Sequence, residues 1–221
     1  MSVYTLHQAA TMSVSQWAGG STRQLVIFPA TATVAAQDFQ WRFSSATVLQ
    51  SGPFTAFPNH QRLLAMRQGA GFVLQVDAQQ QVVHTTQQVM RFAGQAKSQA
   101  QLIDGAVVDI NLMFRQGLQA QLWSQPCTAD FATLPNSLPE TAILLIYADT
   151  IALDIDLGSQ QPPIQLAQGN VLQLQPPIAS FRFRAISSTH GRHFTSINAD
   201  AAPSCHTNTH TAVFAWLAAV Y

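Results

Sequence analysis

Side chains alternate between the two faces of a β-strand. In the run Asp38-Phe39-Gln40-Trp41-Arg42-Phe43-Ser44-Ser45-Ala46-Thr47-Val48, that period places Gln40, Arg42 and Ser44 together and Phe39, Trp41 and Phe43 opposite. An arginine in mid-strand stands either on a solvated face or in the wall of a polar cavity, and the inside of a barrel is such a cavity. Its guanidinium is a rigid fork that matches a carboxylate in two-point contact. A second run, Asp109-Ile110-Asn111-Leu112-Met113-Phe114-Arg115-Gln116-Gly117, sets Asp109, Asn111, Met113 and Arg115 on one face and Ile110, Leu112 and Phe114 on the other. The chemistry on offer is capture of a small anion. The plainer reading is a structural bridge between strands, Arg42 to Asp109, and the two are compatible.

Two further stretches carry polar residues at defined places. In Trp17-Ala18-Gly19-Gly20-Ser21-Thr22-Arg23-Gln24-Leu25, paired glycines permit close backbone approach just before a strand that bears Thr22 and Arg23. Taken alone it is an ordinary turn. Ser51-Gly52-Pro53-Phe54-Thr55-Ala56-Phe57-Pro58, closed by Arg62, reads as an ordered turn held by two prolines and two aromatic anchors.

Together these phrases resemble the HutD/Ves family. Trp-x-Gly-Gly-Ser-Thr-Arg-x-Leu, Asp-Phe-x-Trp-Arg-x-Ser-Ser-Ala-x-Val, Phe-Thr-x-x-Pro with a following Arg, and Asp-x-Asn-x-Met-x-Arg-x-Gly stand in that family's order at Trp17–Leu25, Asp38–Val48, Phe54–Arg62 and Asp109–Gly117. Phe92-Ala93-Gly94 is similar to the family's Phe-x-Gly. The resemblance is dense over residues 17–117 and thin to about 186. It implies a compact double cupin, a role tied to histidine utilisation or stress response, and no settled enzymatic activity. Members are held to bind intermediates such as urocanate or formylated glutamate, as a sensor or governor. The polar positions carried over are Thr22, Arg23, Arg42, Ser44, Arg62, Asp109, Asn111 and Arg115. Ala18, Gln24 and Ile110 depart from the family pattern, where polar, acidic and aromatic residues are usual; these bear on the ligand's identity more than on the fold. With a carboxylate held by arginine, Asn111 and Ser44 would orient remaining polar atoms, and Trp41 or Phe57 would cover an apolar or planar part.

The elements that must position these residues are strands. Gln24–Phe28, Phe39–Leu49, Gly71–Asp77, Val107–Arg115, Ala142–Tyr147, Ile151–Leu157, Asn170–Gln175 and Ser180–Ile186 are rich in β-branched and aromatic residues and bounded by Gly, Pro, Asn or Asp. No long stretch has helical period, which indicates a sandwich or barrel. The order Leu63–Met66, Phe72–Val76, Val89–Phe92 returns about 80 residues later as Ala142–Leu145, Ile151–Ile155, Val171–Leu174, which suggests two copies of a small β-barrel unit. The expectation is an all-β double cupin, two RmlC-like units. Residues 1–117 form a first half carrying the motifs, 118–186 a second, degenerate half, and 187–221 a polar loop with an apolar end. Thr211–Tyr221 mixes helix-favouring Ala and Leu with strand-favouring Val, Phe and Tyr, and a short C-terminal helix is expected.

No cofactor or metal is expected. The hairpin Gln68–Asp77, where cupin enzymes commonly carry a His-x-His pair, has no histidine. His190, His193, Cys205, His206 and His210 gather in the tail, but their spacing fits no zinc motif. Cys127 reads as an ordinary buried thiol, and a disulfide with Cys205 stays open. His60 and His84 sit near turns and carry no assignment.

Composition sets the remaining bounds. Charged residues are 9% of the chain, against about 25% in typical proteins, and the formal net charge is zero. Twenty-seven glutamines supply the polarity, with Lys97 and Glu140 the single lysine and glutamate. Such a surface has no basic face for nucleic acid and favours self-association, so a homodimer is expected. Met1–Trp17 reads as no signal peptide, and the apolar runs Ala142–Ala148 and Val213–Tyr221 are too short to span a membrane, which points to a soluble, cytoplasmic protein. The leading expectation is a regulatory protein that binds a small carboxylate metabolite and is not an enzyme. The alternatives are a metal-free isomerase or hydrolase of a small acid, and a structural dimer module without ligand. An Asp109 paired with Arg42 would weigh against the enzyme, because it would not be poised for proton transfer.

Overall fold

The computed structural model describes residues 4–133, 138–158, 162–176, 181–186 and 214–221. Among them the chain is built from antiparallel strands, with one 3-10 turn at Ala9–Thr11. A six-stranded sheet runs in the order Val14–Trp17, Gly20–Phe28, Trp41–Val48, Val107–Arg115, His60–Gln68, Val89–Ala93. A four-stranded sheet, Gly52–Pro53, Ser98–Leu102, Phe72–Val76, Gln79–Val83, closes over it to form the first barrel. The second barrel pairs a five-stranded sheet with a four-stranded one. The first of these runs Tyr4–His7, Val171–Leu174, Ile143–Tyr147, Phe214–Val220, Ala120–Pro126, and the second Ala132–Thr133, Arg182–Ala185, Leu153–Asp156, Ile164–Leu166. This is a double cupin.

The sequence echo falls on equivalent strands. His60–Gln68 pairs with Val89–Ala93, and Phe72–Val76 lies in the opposing sheet. Ile143–Tyr147 pairs with Val171–Leu174, and Leu153–Asp156 lies in the opposing sheet of its own barrel. Tyr4–His7, at the chain's start, pairs with Val171–Leu174 in the second barrel.

Alternation decides what each face touches. Trp41, Phe43, Leu63, Ala65, Ile110, Leu112 and Phe114 leave the six-stranded sheet on one side and pack on Leu122, Leu145, Tyr147, Val171 and Trp216 of the five-stranded sheet. That shared core joins the barrels, and each large side chain fully buried there contributes about 1.5–3 kcal/mol. The other face of the five-stranded sheet, with Leu144, Ile146, Leu172, Leu174 and Leu217, meets Leu153, Ile155, Leu166 and Phe183 in an apolar interior. The first barrel is filled with Leu64, Met66, Phe72, Leu74 and Val107 only towards one end. Its other end holds polar side chains.

The C-terminal helix expected from the sequence is instead a strand, Phe214–Val220, hydrogen-bonded to Ala120–Pro126 on one edge and Ile143–Tyr147 on the other. Trp216 and Ala218 face the inter-barrel core while Ala215, Leu217 and Ala219 face the second barrel's interior. A strand buried on both faces reads as an unbroken apolar run, and this tertiary demand overrides the helix preference of alanine. The polar tail with His190, His193, Cys205, His206 and His210 lies outside the described residues, as does the Cys127–Cys205 pairing. Among the described residues no helix is long and apolar enough to cross a membrane.

Candidate functional site

Register across the six-stranded sheet places the polar residues in rows. Met113 stands opposite Arg42 on one side and Arg62 on the other. Two residues along, Asn111 lies opposite Ser44 and Leu64, and Gln24 lies beyond Ser44. Two residues further, Asp109 lies opposite Ala46 and Met66, with Thr22 beyond Ala46. All three rows run across the sheet face that meets the first barrel, with Leu64 and Met66 turned into its apolar filling and the polar side chains gathered at its open end. There Thr22, Arg42, Ser44, Arg62, Asp109, Asn111 and Met113 line a cavity of about 220 Å³. Trp17, Val34, Phe54 and Phe57 complete its wall.

The polar groups are buried and tightly placed. Arg42 donates from Nε to Gln24 Oε1 at 3.2 Å. Arg62 donates from Nη2 to the Thr55 carbonyl at 3.1 Å, and its guanidinium carbon lies 5.1, 5.8 and 5.5 Å from the ring centres of Phe54, Phe57 and Phe92. Such contacts hold a cation without neutralising it. Asp109 Oδ1 accepts from the Ala46 backbone N–H at 3.1 Å and from Asn111 Nδ2 at 3.0 Å. Among the described residues the ion pairs are Arg67–Asp149, Arg182–Asp156 and Arg184–Asp154, so the Arg42–Asp109 bridge is not formed.

Burial sets the charge states. Loss of hydration pushes the Asp109 carboxyl up to about 6, against the pull of the Ala46 N–H, the charge of Arg62, the Asn111 amide and Arg67. Loss of hydration also lowers Arg42 to about 10, with Asp109 opposing. Arg62 falls to about 10 for the same reason, Asp109 again opposing and Arg42 adding to the fall. Both guanidiniums remain charged at neutral pH and face one carboxylate between them. The cavity has an excess of positive charge and suits an anion.

Three residues expected at a ligand lie elsewhere. Trp41 is adjacent to Arg42 in sequence and therefore on the opposite face, 2% exposed in the inter-barrel core and stacked on Phe28 at 5.6 Å. Arg23 alternates with Thr22 and Gln24, is exposed, and donates to the Ala9 carbonyl at 3.2 Å. Arg115 shares the parity of Asp109 and Asn111 but stands exposed at the strand's end. Trp17, Phe54 and Val34 were not expected as lining residues. Phe54 had a signal, since it sits in the turn that Arg62 closes, and Trp17 begins a motif.

A second polar feature straddles the barrels. Arg67 donates from Nε to Asp149 Oδ2 at 3.0 Å, pairs its Nη2 with Asp149 Oδ1, and donates from Nη1 to Ser45 Oγ at 2.6 Å. Ser45 Oγ donates to the Asp109 carbonyl at 2.6 Å, and Trp216 Nε1 donates to Asp149 Oδ2 at 3.1 Å. Of these residues Arg67 and Asp149 border a cleft of about 400 Å³ with Arg23, Tyr147 and Gln168. Nothing local in the sequence marks Arg67 and Asp149 as partners, 82 residues apart.

Other expected players are accounted for. His60 is buried with Nδ1 2.8 Å from the Pro58 carbonyl and Nε2 3.0 Å from the Phe39 carbonyl, a structural clamp beside the cavity. His84 is exposed. Cys127 is buried and without a disulfide partner among the described residues, and burial pushes its thiol up to about 11. Among the described residues no group of three or more His, Cys, Asp and Glu gathers that would hold a metal ion.

Comparison with known proteins decides the family. The HutD family model matches residues 9–193. The chain belongs to the HutD family. Protein Ves from Escherichia fergusonii is 32% identical over 109 residues, which is 47% of this chain and 54% of that protein. The chain thus spans about half the length of the curated relatives it matches. Among solved structures, a conserved protein of unknown function from Pseudomonas aeruginosa PAO1 superposes with a TM-score of 0.74 at 23% identity, covering 99% of this chain and 97% of that one. HutD from Pseudomonas fluorescens SBW25 superposes with a TM-score of 0.67 at 20% identity, covering 99% and 98%. At these identities the two structures speak to the fold. This HutD-family chain shares the whole double barrel with them.

Proposed function

We propose that this HutD-family protein binds a small carboxylate metabolite in the cavity of the first barrel and acts as a sensor or governor of histidine and glutamate catabolism. The observation that carries the reading is the pair of buried guanidiniums, Arg42 and Arg62, lining one cavity with a single carboxylate, Asp109. With charged residues only 9% of the chain, two guanidiniums in one cavity concentrate positive charge there. The cavity's volume, below the ~300 Å³ at which sites for drug-sized molecules begin, matches a small metabolite. The HutD structure from Pseudomonas fluorescens SBW25 was obtained in a formate condition, which makes formate a natural member of the panel. The second barrel, with its apolar interior, supplies the platform. The test is a thermal-shift and calorimetric panel of urocanate, formylglutamate, formiminoglutamate, glutamate and formate, run beside Arg42→Ala. A ligand at a hundred times its Kd adds about 2.7 kcal/mol, or about 5–10 °C in Tm. A rise for one acid that the variant loses supports the binder; a well-folded protein that responds to none of them overturns it.

A metal-free isomerase or hydrolase is favoured by one observation. Asp109 is not ion-paired to Arg42 and, with its carboxyl raised to about 6, holds the balance between acid and base that proton transfer needs. Incubation of each panel acid in deuterated water separates the readings. Deuterium at carbon or a cleaved product, either depending on Asp109, supports an isomerase or a hydrolase respectively, and unchanged ligand supports a binder.

A further inference from the structure

Two polar atoms of the cavity residues are buried and unpartnered among the described residues, and they are of opposite kind: Arg62 Nε is a donor, and Asn111 Oδ1 is an acceptor. Their residues are 4% and 9% exposed. The Asn111 amide is not free to reverse. Its Nδ2 donates to Asp109 Oδ1 at 3.0 Å, and the flipped amide would set two acceptor oxygens against each other. Arg62 is equally fixed, by its Nη2 bond to the Thr55 carbonyl and by three aromatic rings. Buried polar groups in folded proteins are met by a partner. A guanidinium N–H is met by an acceptor, most strongly by an anion, and a carbonyl oxygen by an N–H or O–H. A lone carboxylate satisfies Arg62 and leaves Asn111 unmet.

We propose that the ligand is a small acid carrying a hydrogen-bond donor close to its carboxylate, with the carboxylate on Arg42 and Arg62 and the donor on Asn111 Oδ1. This rests on the anion-binding reading and narrows it to hydroxy acids and N-acylated or other N–H-bearing acids. Asn111 lies two residues from Met113, the residue flanked by the two arginines, a step of about 7 Å along a strand. That step is short enough for one small molecule to carry both the carboxylate and the donor. Simple alkanoates of the same shape are rejected, because they bring the carboxylate but leave the amide oxygen dry. The hydrogen bond that a donor-bearing acid gains to Asn111 Oδ1 is expected to favour it by a factor of about ten.

Isosteric pairs test this by isothermal titration: glycolate against propionate, and N-acetylglycine against 4-oxopentanoate, in which O–H or N–H is replaced by carbon at constant shape. The expected result is that the donor-bearing acid of a pair binds about tenfold tighter, and that Asn111→Val brings the pair within about twofold of each other. Asn111→Ala serves should the valine variant not melt cooperatively, and the wild-type preference within a pair is itself a readout. If both members bind alike and Arg42→Ala weakens both, the donor requirement is overturned while the anion site stands. If no acid of either pair binds to folded protein at tens of millimolar, both fall.

Discussion

Arg42 and Arg62 stand on the two strands that flank Met113, on one face of one sheet, and neither has a carboxylate within ion-pair distance among the described residues. Burial costs each guanidinium its hydration, and the charge of Arg42 weighs further on Arg62. Such an arrangement does not stabilise a fold. It holds two charges ready for a third group that completes them.

Removing one charge should therefore help the empty protein and ruin the loaded one. Arg42→Met, which keeps the stem's packing, is expected to stabilise the ligand-free fold by about 1 kcal/mol, or 2–4 °C in Tm. The same variant should lose any carboxylate-induced rise. A melt that falls by several degrees in Arg42→Met would mean that the guanidinium supports the fold, and would count against a site held open for ligand.

Asp109 gives the site a pH dependence of defined sign. Its carboxyl is raised from 3.8 to about 6 by burial, so between those values the folded state holds a proton that the unfolded chain has released. The stability this contributes is fully present below about pH 4 and is lost as pH rises through 6, amounting to about 3 kcal/mol. Asp109→Asn retains an acceptor for the Ala46 N–H and should flatten the profile, leaving the variant more stable than the parent at pH 7.5. Carboxylate affinity should also tighten on descending from pH 7.5 to 5.5, as a neutral Asp109 stops repelling the ligand's negative charge. Denaturant melts and titrations across that range check both, and a parent profile that is flat from pH 4 to 7 would refute the assignment.

How far the sequence could be read follows from what each signal encodes. Alternation within Trp41–Val48 and Val107–Arg115 carried the cavity face, because a period of two survives any sheet register. The same alternation placed Trp41 opposite Arg42, and a motif carried over whole hid that: Trp41 builds the inter-barrel core while its neighbour lines the cavity. Arg23 went astray for the same reason. The C-terminal segment was illegible because its two hydrogen-bonding partners, Ala120–Pro126 and Ile143–Tyr147, lie some seventy to a hundred residues away. The Arg67–Asp149 pair was missed likewise, since only the meeting of two barrels brings it together.

That pair should be a stability determinant independent of the ligand. Asp149 is 6% exposed and takes donors from Arg67 and Trp216. Asp149→Ala leaves a buried guanidinium without its counter-charge and should cost about 3–5 kcal/mol. The double variant Arg67→Met with Asp149→Leu removes both charges and should recover most of the loss, which a double-mutant cycle in denaturant measures. Equal losses in the single and double variants would show that packing, and not the stranded charge, sets the cost.

Trp17 offers a direct optical report of the cavity. It is 43% exposed, lines the cavity wall, and donates from Nε1 to Thr22 Oγ1 at 3.2 Å. Trp41 and Trp216 are buried in the inter-barrel core and far less open to a ligand. Its position depends on the paired glycines, since a Cβ on Gly19 would strike the Trp17 ring and one on Gly20 the Thr47 carbonyl oxygen. A carboxylate entering the cavity should change the emission of Trp17 and leave the buried tryptophans nearly silent. Trp17→Phe is then expected to abolish the fluorescence response while calorimetry still registers binding with affinity within about tenfold of the parent, one stacking contact being worth about 1 kcal/mol. Gly20→Ala, by contrast, should lower stability and affinity together, because the backbone of the strand that carries Thr22 must move away from Thr47. A full fluorescence response in Trp17→Phe would place the ligand away from this cavity.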